Sequence, residues 1–170
     1  MKLIALTGKA HSGKDEIGKH LWAHHAYVRI ALADPLKWAA ANVFELTGNE
    51  PKEEVIPYWG LSPRQIWQRT GDAFKSEFGP MVWVKRWLRA YLMLKDTDNI
   101  VCTDLRSDGE AEVFKRLGAV IIRVERKAAG EVSPHHSENG ITIEPDYIIH
   151  NDGTKMELYR EVDKIIEDIQ

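Results

Sequence analysis

The residues best suited to chemistry lie in one segment near the amino terminus, which follows an apolar run at residues 3–6. Its two glycines and the lysine after them have the G-x-x-x-x-G-K spacing of a phosphate-binding loop. Glycines at these positions let the backbone curl so that successive N–H groups point inward, and the lysine reaches the β- and γ-phosphates. The segment therefore predicts a site for the phosphates of a nucleotide. Its residues are Gly8, Lys9, Ala10, His11, Ser12, Gly13, Lys14 and Asp15.

Asp15 stands where Ser or Thr usually offers a hydroxyl to Mg²⁺ in such a loop. A carboxylate is a good ligand for this hard ion, directly or through water. It also adds negative charge near the phosphates, which Lys9 can offset. We therefore predict Asp15 as a metal ligand, with both modes of binding left open.

Two more carboxylates follow predicted strands, and ligands of parallel sheets bind beyond the carboxyl ends of the strands. Asp34 follows the predicted strand Tyr27–Leu32; it either orients the phosphoryl acceptor or caps the helix that begins at Pro35. Asp104 follows the predicted strand Asn99–Thr103; it either holds Mg²⁺ or caps the next helix.

Several cations are candidates for binding phosphate groups. Arg106 lies two residues beyond Asp104, where it can bind the phosphate of either substrate. Arg126 leads from the fourth predicted strand into a polar loop at about residues 126–146, which we predict to be a lid that closes over the transferred phosphate. The predicted catalytic residues are Lys14, Asp34, Asp104 and Arg106.

The elements that must position these residues alternate between strands and helices. Apolar runs predict five strands, and helical periodicity predicts helices between them. Such alternation is typical of a parallel sheet with helices on both faces. We therefore predict one α/β domain over residues 1–170, with a helical insert at about residues 35–97 that selects the substrate.

Composition limits the function classes. The 170-residue chain has a net charge of −3, which argues against a dedicated nucleic-acid binder. It has no apolar run long enough for a membrane span and no room for a signal peptide before the first strand, and its single cysteine, Cys102, suits a reducing cytoplasm. Tyr58 and Trp59 are candidates for a homodimer contact.

His20 and His24 have the i, i+4 spacing of metal ligands on a helix. Because no third ligand lies within reach in the sequence, we interpret both as surface residues.

Several short motifs together resemble the bacteriophage deoxynucleoside monophosphate kinases. Besides the phosphate-binding loop, they are Ala-Asp-Pro-Leu-Lys at 33–37, Ser-Pro-Arg-Gln-Ile-Trp-Gln-Arg-Thr-Gly at 62–71, Trp-Val at 83–84, Thr-Asp-Leu-Arg at 103–106, His-Ser-Glu at 136–138 and Asn-Asp-Gly-Thr at 151–154.

The resemblance implies a three-layer nucleoside monophosphate kinase fold with a monophosphate-binding insert. It implies transfer of a γ-phosphoryl group from ATP, with Mg²⁺, to a deoxynucleoside 5′-monophosphate. It places Asn151, Gly153 and Thr154 beside the adenine of ATP. The predicted substrate-binding residues are Asp34, Lys37, Arg64, Trp67, Arg69 and Arg106, with a base stacked at Trp67.

Two alternatives stay open. Animal-type phosphomevalonate kinase is similar in the loop, in Pro-Leu-Lys and in the segment at 103–106, and would phosphorylate an isoprenoid phosphate. A non-catalytic module that switches a partner by ATP occupancy would explain the missing hydroxyl at position 15.

Overall fold

A computed structural model describes residues 1–127 and 141–169 of the chain. These residues form a five-stranded sheet in the spatial order β2-β3-β1-β4-β5, and all four strand pairs are parallel. The predicted α/β fold is therefore confirmed, although β2 ends at Arg29 rather than at Leu32. The strands are β1 (Leu3–Thr7), β2 (Tyr27–Arg29), β3 (Asn99–Leu105), β4 (Val120–Glu125) and β5 (Tyr147–His150).

Six helices lie within the described residues, and three of them begin with a capping box, in which a Ser or Thr side chain and a Gln or Glu three residues later satisfy two free backbone N–H groups. The capping residues are Ser62, Ser107 and Thr154. The helices are α1 (Lys14–His25), α2 (Asp34–Phe44), α3 (Pro63–Phe78), α4 (Val82–Leu94), α5 (Asp108–Arg116) and α6 (Lys155–Asp168).

The chain divides into two compact units. The first comprises Met1–Ala31 and Ala90–Gln170 and contains the whole sheet. The second comprises Leu32–Arg89, in which α2 packs against α3. The predicted insert at about residues 35–97 overlaps the second unit, and its role stays a prediction. Most of the predicted lid lies outside the described residues.

The core of the first unit fixes the position of the phosphate-binding loop. Every residue of β1 is buried, so the strand that leads into the loop lies in the middle of the sheet and is covered on both faces. Ile4 and Leu6 of β1 belong to one apolar cluster with Leu21 of α1 and Val162 of α6. The loop is therefore attached to the most constrained part of the unit. Along residues 1–127 and 141–169, no helix combines the length and the apolar character that crossing a bilayer requires.

Candidate phosphate-binding site

The phosphate-binding loop, residues 8–15, joins the end of β1 to the start of α1 as predicted. Gly8 and Gly13 have φ values of 135° and 112°, which side-chain-bearing residues rarely adopt, and His11 also has a positive φ of 61°. The loop closes with a hydrogen bond of 3.2 Å from the Ser12 N–H to the Lys9 carbonyl. Gly13 is the N-cap of α1, so the free N–H groups and the positive end of this helix face the loop.

Both glycines also allow close contacts with neighbouring strands. A Cβ on Gly8 would lie 2.2 Å from the backbone oxygen of Val124 at the end of β4, and one on Gly13 would lie 2.4 Å from the Asn151 side-chain nitrogen after β5. Any larger residue would therefore shift the loop or the segment beside it. The spacing that suggested the loop thus reflects packing as well as curvature.

The Lys14 ammonium lies inside the loop. Its Nζ donates to the carbonyls of Gly8 and Lys9 at 2.7 and 2.6 Å and to the Ser12 hydroxyl at 3.3 Å. These carbonyls hold the positive charge on the first turn of α1. A phosphate chain that enters the loop is therefore met by this charge and by the backbone N–H groups.

The segment after β5 supports the loop from behind. The Asn151 side-chain amide donates to the Ser12 carbonyl at 2.8 Å. The Thr154 hydroxyl accepts from the Glu157 N–H as the N-cap of α6, and a Cβ on Gly153 would lie 2.3 Å from a Glu157 carboxylate oxygen. These contacts give Asn151 and Thr154 structural tasks that the sequence alone did not indicate, and their contact with adenine stays a prediction.

A pocket of about 470 Å³ borders the loop within the first unit. It is lined by Gly8 and Lys9 on one side and by Arg126, His150 and Asp152 on the other. Asp152 accepts a hydrogen bond of 2.7 Å from the Lys127 N–H, which ties the end of β4 to the loop after β5. The pocket thus brings the predicted Arg126 and the 151–154 segment to the same opening as the phosphate-binding loop.

Asp104 lies inside β3 rather than after it, beside an irregularity in the sheet. Ala5 pairs with Cys102, but Thr7 pairs with Leu105, so β3 has one extra residue opposite β1. A β-bulge of this kind re-aims a side chain, here next to the strand that carries the phosphate-binding loop. The Asp104 carboxylate accepts from the Cys102 thiol at 3.5 Å, and burial raises the pKa of that thiol well above its ordinary value.

Arg106 lies between β3 and α5, where its backbone N–H donates to Glu110 at 2.8 Å. The Ser107 side chain caps α5, so Asp104 does not serve as the N-cap. Of the two roles considered for Asp104, helix capping is therefore wrong at the N-cap position, and metal binding stays a prediction.

In the second unit, Asp34 is the first residue of α2, and Ala33 is the N-cap without a side-chain cap. The expectation that Asp34 caps this helix is therefore wrong in the strict sense, although its charge suits the first turn.

Lys37 and Trp67 are brought together by the packing of α2 on α3. The Lys37 ammonium lies 5.6 Å from the centroid of the Trp67 ring, within the range of a cation–π contact. The Trp67 Nε1 is buried and has no hydrogen-bond partner among residues 1–127 and 141–169. A buried indole N–H normally has a partner, so this donor is available to a ligand.

The two arginines of α3 differ. The Arg64 Nε pairs with Glu53 at 2.5 Å, and its side chain is largely buried, whereas Arg69 is exposed. Arg64 is thus engaged within its own unit, which the sequence did not indicate.

The homodimer residues also differ. The Trp59 Nε1 donates to the Phe44 carbonyl at 3.0 Å, so its indole is used within the second unit. Tyr58 is 85% exposed. The homodimer contact stays a prediction.

Sequence reasoning missed two residues that hold the segment before β5. The Asp108 carboxylate accepts hydrogen bonds from Thr142 and Ile143. The Arg123 guanidinium donates to the carbonyls of Ile141 and Ile143. These contacts span 18 to 35 residues, so no local pattern could have indicated them.

The interpretation of His20 as a surface residue is wrong. His20 is 8% exposed, and its Nε2 lies 2.6 Å from a carboxylate oxygen of Asp163 in α6. His24 is exposed, as expected, and His25 replaces it in this contact. The third partner lies 143 residues along the chain and meets α1 only through packing.

Comparison with known proteins identifies relatives of the whole arrangement. A family model described as deoxynucleotide monophosphate kinase matches residues 58–162. The deoxynucleotide monophosphate kinase of Enterobacteria phage T4 is 30% identical over 234 aligned positions, covering 95% of this chain and 97% of that protein. The enzyme of the same name from Escherichia phage RB69 is 36% identical over 112 residues, covering 64% of this chain but only 45% of that protein.

Among solved structures, the dephospho-CoA kinase of Campylobacter jejuni has a similar fold. The TM-score is 0.55 at 14% identity, and the alignment covers 99% of this chain and 98% of that one. This likeness concerns the fold alone.

Proposed function

The chain belongs to the deoxynucleotide monophosphate kinase family, and we propose that it transfers the γ-phosphoryl group of ATP to a deoxynucleoside 5′-monophosphate, giving the diphosphate and ADP. The observation that carries this proposal is the phosphate-binding loop, which holds the Lys14 ammonium 2.7 and 2.6 Å from two of its carbonyls. Family membership and loop geometry point to the same class of enzyme, a nucleoside monophosphate kinase.

On the donor side, the free N–H groups at the start of α1 bind the phosphate oxygens. Lys14 exchanges its contacts with the loop carbonyls for contacts with the β- and γ-phosphates. Phosphoryl transfer depends mostly on positioning and on neutralising the charge of the moving group. A charge that is already held beside the reaction needs little reorganisation. The pocket beside Arg126 and Asp152 is large enough for the rest of the nucleotide to extend from the loop.

The residues present fit Mg²⁺, because Asp15 and Asp104 offer carboxylate oxygens, which this ion prefers. Asp15 is exposed in the first turn of α1, and Asp104 lies at the bulge of β3 in the same unit. When it is bound with ATP, Mg²⁺ neutralises charge on the β- and γ-phosphate oxygens. We assign Asp15 and Asp104 to hold it, directly or through water.

For the acceptor, we assign Asp34, Lys37, Arg64, Trp67, Arg69 and Arg106. The strongest local support is at Trp67, whose aromatic face and unpartnered N–H suit a nucleotide base, with Lys37 beside it. Arg106 follows the strand that carries Asp104, where a cation can neutralise the transferred group.

The test is an assay of ADP release with ATP, Mg²⁺ and a panel of deoxynucleoside 5′-monophosphates, with phosphomevalonate as a further acceptor. We expect turnover with at least one deoxynucleotide and none with phosphomevalonate. The Lys14→Met variant should lose at least about 100-fold in turnover, the scale of one lost preorganised donor, whereas Lys19→Met, on the exposed face of α1, should not.

Turnover with phosphomevalonate alone would overturn the assignment of the acceptor. ATP binding without turnover of any acceptor would point instead to a regulatory module.

A further inference from the structure

A second cluster of polar side chains joins α1 to α6, and the proposed function does not use it. The Nε2 atoms of His20 and His25 lie 2.6 and 2.7 Å from the same carboxylate oxygen of Asp163. The three potential ligand atoms all lie within 4.8 Å of one another. Two imidazoles and one carboxylate therefore converge on a single point.

The buried histidine is held in place for this contact. The His20 Nδ1 is buried and has no hydrogen-bond partner among residues 1–127 and 141–169, so Nε2 makes its polar contact at the cluster. Its ring stacks on Tyr159 of α6 with centroids 4.2 Å apart and planes 5° from parallel. Tyr159 is itself fixed by a hydrogen bond to Glu16 of α1. The direction of Nε2 is therefore set by packing from both helices.

The other two side chains leave the cluster accessible. The His25 side chain is 21% exposed and that of Asp163 is 41% exposed, so an ion can enter from solvent. His25 also lies at the carboxyl end of α1, where the helix dipole favours positive charge.

We propose that His20, His25 and Asp163 bind one divalent transition-metal ion, with zinc preferred over magnesium and calcium. Imidazole nitrogen suits zinc, cobalt and nickel, whereas magnesium and calcium prefer sites made only of oxygen. Zinc bonds to nitrogen and oxygen are about 2.0–2.2 Å, so tetrahedral ligands lie about 3.3 Å apart. The present spacing of 2.6–2.7 Å must widen by less than 1 Å, which the exposed carboxylate allows.

Binding would proceed by replacing protons with the ion. The two Nε2–H groups that face the carboxylate in the metal-free chain would lose their protons to solvent as the nitrogens become ligands. Water would fill the fourth position. The ion would cross-link the carboxyl end of α1, the helix that begins at Lys14, to α6, so the site is structural rather than part of phosphoryl transfer.

The experiment is a titration of the full, chelator-treated chain with zinc in the absence of nucleotide, followed by calorimetry and, with cobalt, by visible absorption. We expect one ion per chain and the absorption of tetrahedral cobalt. His25→Ala and Asp163→Asn should each weaken zinc binding at least about tenfold, since removing even a supporting residue costs 10–100-fold. The matched control is His24→Ala, the exposed neighbour outside the cluster, which should bind as the wild type does.

A second measurement needs no variant. Histidine NMR of the wild-type chain should show the His20 and His25 ring signals shifting on zinc addition while those of His24 stay in place. The proposal is overturned if zinc does not bind stoichiometrically, if the two variants bind it as tightly as the wild type, or if only other histidines shift. The site does not rest on the kinase assignment, and its failure would leave that assignment intact.

Discussion

The side-chain amide of Asn151 donates a 2.8 Å hydrogen bond to the backbone carbonyl of Ser12, which ties the segment after β5 to the middle of the phosphate-binding loop. The same amide nitrogen would lie 2.4 Å from a Cβ on Gly13. Asn151 thus acts as a positioning residue for the loop, whether or not it also contacts ATP.

Asn151→Ala should raise KM for ATP about fivefold, because a typical hydrogen bond contributes about 1 kcal/mol and the loop loses its support. Steady-state kinetics with varied ATP would measure this. Asn99→Ala is the matched control, because Asn99 also bonds the backbone, accepting from the Lys2 N–H at 2.9 Å, but at the opposite end of its strand. Equal ATP KM values in the two variants would show that the Ser12 contact does not support nucleotide binding.

Gly8→Ala should lower kcat/KM for ATP by about 100-fold, the scale expected when catalytic groups move by about 1 Å. The new Cβ would lie 2.2 Å from the Val124 oxygen, so the loop must shift. In Gly118→Ala, the φ of 76° is also positive but no atom lies within 4 Å, so only stability should fall, by about 1–2 kcal/mol. Unchanged kinetics in Gly8→Ala would contradict the loop geometry.

Trp67→Phe should leave the free energy of unfolding nearly unchanged, because the buried Nε1 has no partner to lose among the described residues. It should raise KM for the deoxynucleotide at least about fivefold if the substrate uses that donor. Trp59→Phe should behave in the opposite way. It removes the hydrogen bond to Phe44 and about 1 kcal/mol of stability while leaving KM unchanged. Thermal unfolding and acceptor kinetics on both variants would separate the two effects.

Hydrogen bonds from Thr142 and Ile143 hold the pKa of the Asp108 carboxyl below its usual value of 3.8. Because the folded-state pKa is the lower one, these contacts contribute stability above the unfolded-state pKa. That contribution disappears as the pH falls through the folded-state value. An NMR titration of the Thr142 and Ile143 amides should show a midpoint below 3.8, and Thr142→Val should move it upward. A wild-type midpoint at or above 3.8 would mean that the carboxylate does not hold this segment.

The sequence by itself determined the features that depend on neighbouring residues. The spacing of Gly8, Gly13 and Lys14 specifies a curled loop before a helix, and alternating apolar runs specify strands and helices in order. Parallel pairing follows from this alternation because a strand that is followed by a crossover helix returns in the same direction. Helix starts at Ser62 and Ser107 are likewise set by capping residues three positions from their partners.

Only the tertiary structure decided the contacts between distant segments. The bulge that places Asp104 within β3, the ion pair that engages Arg64, the bond from Asn151 to Ser12 and the meeting of His20 with Asp163 all depend on how elements pack. Backbone propensity acts over a few residues, whereas these partners are between 11 and 143 residues apart or lie on separate strands. Packing of the buried apolar faces selects which distant side chains meet, and that selection is not encoded in any local pattern.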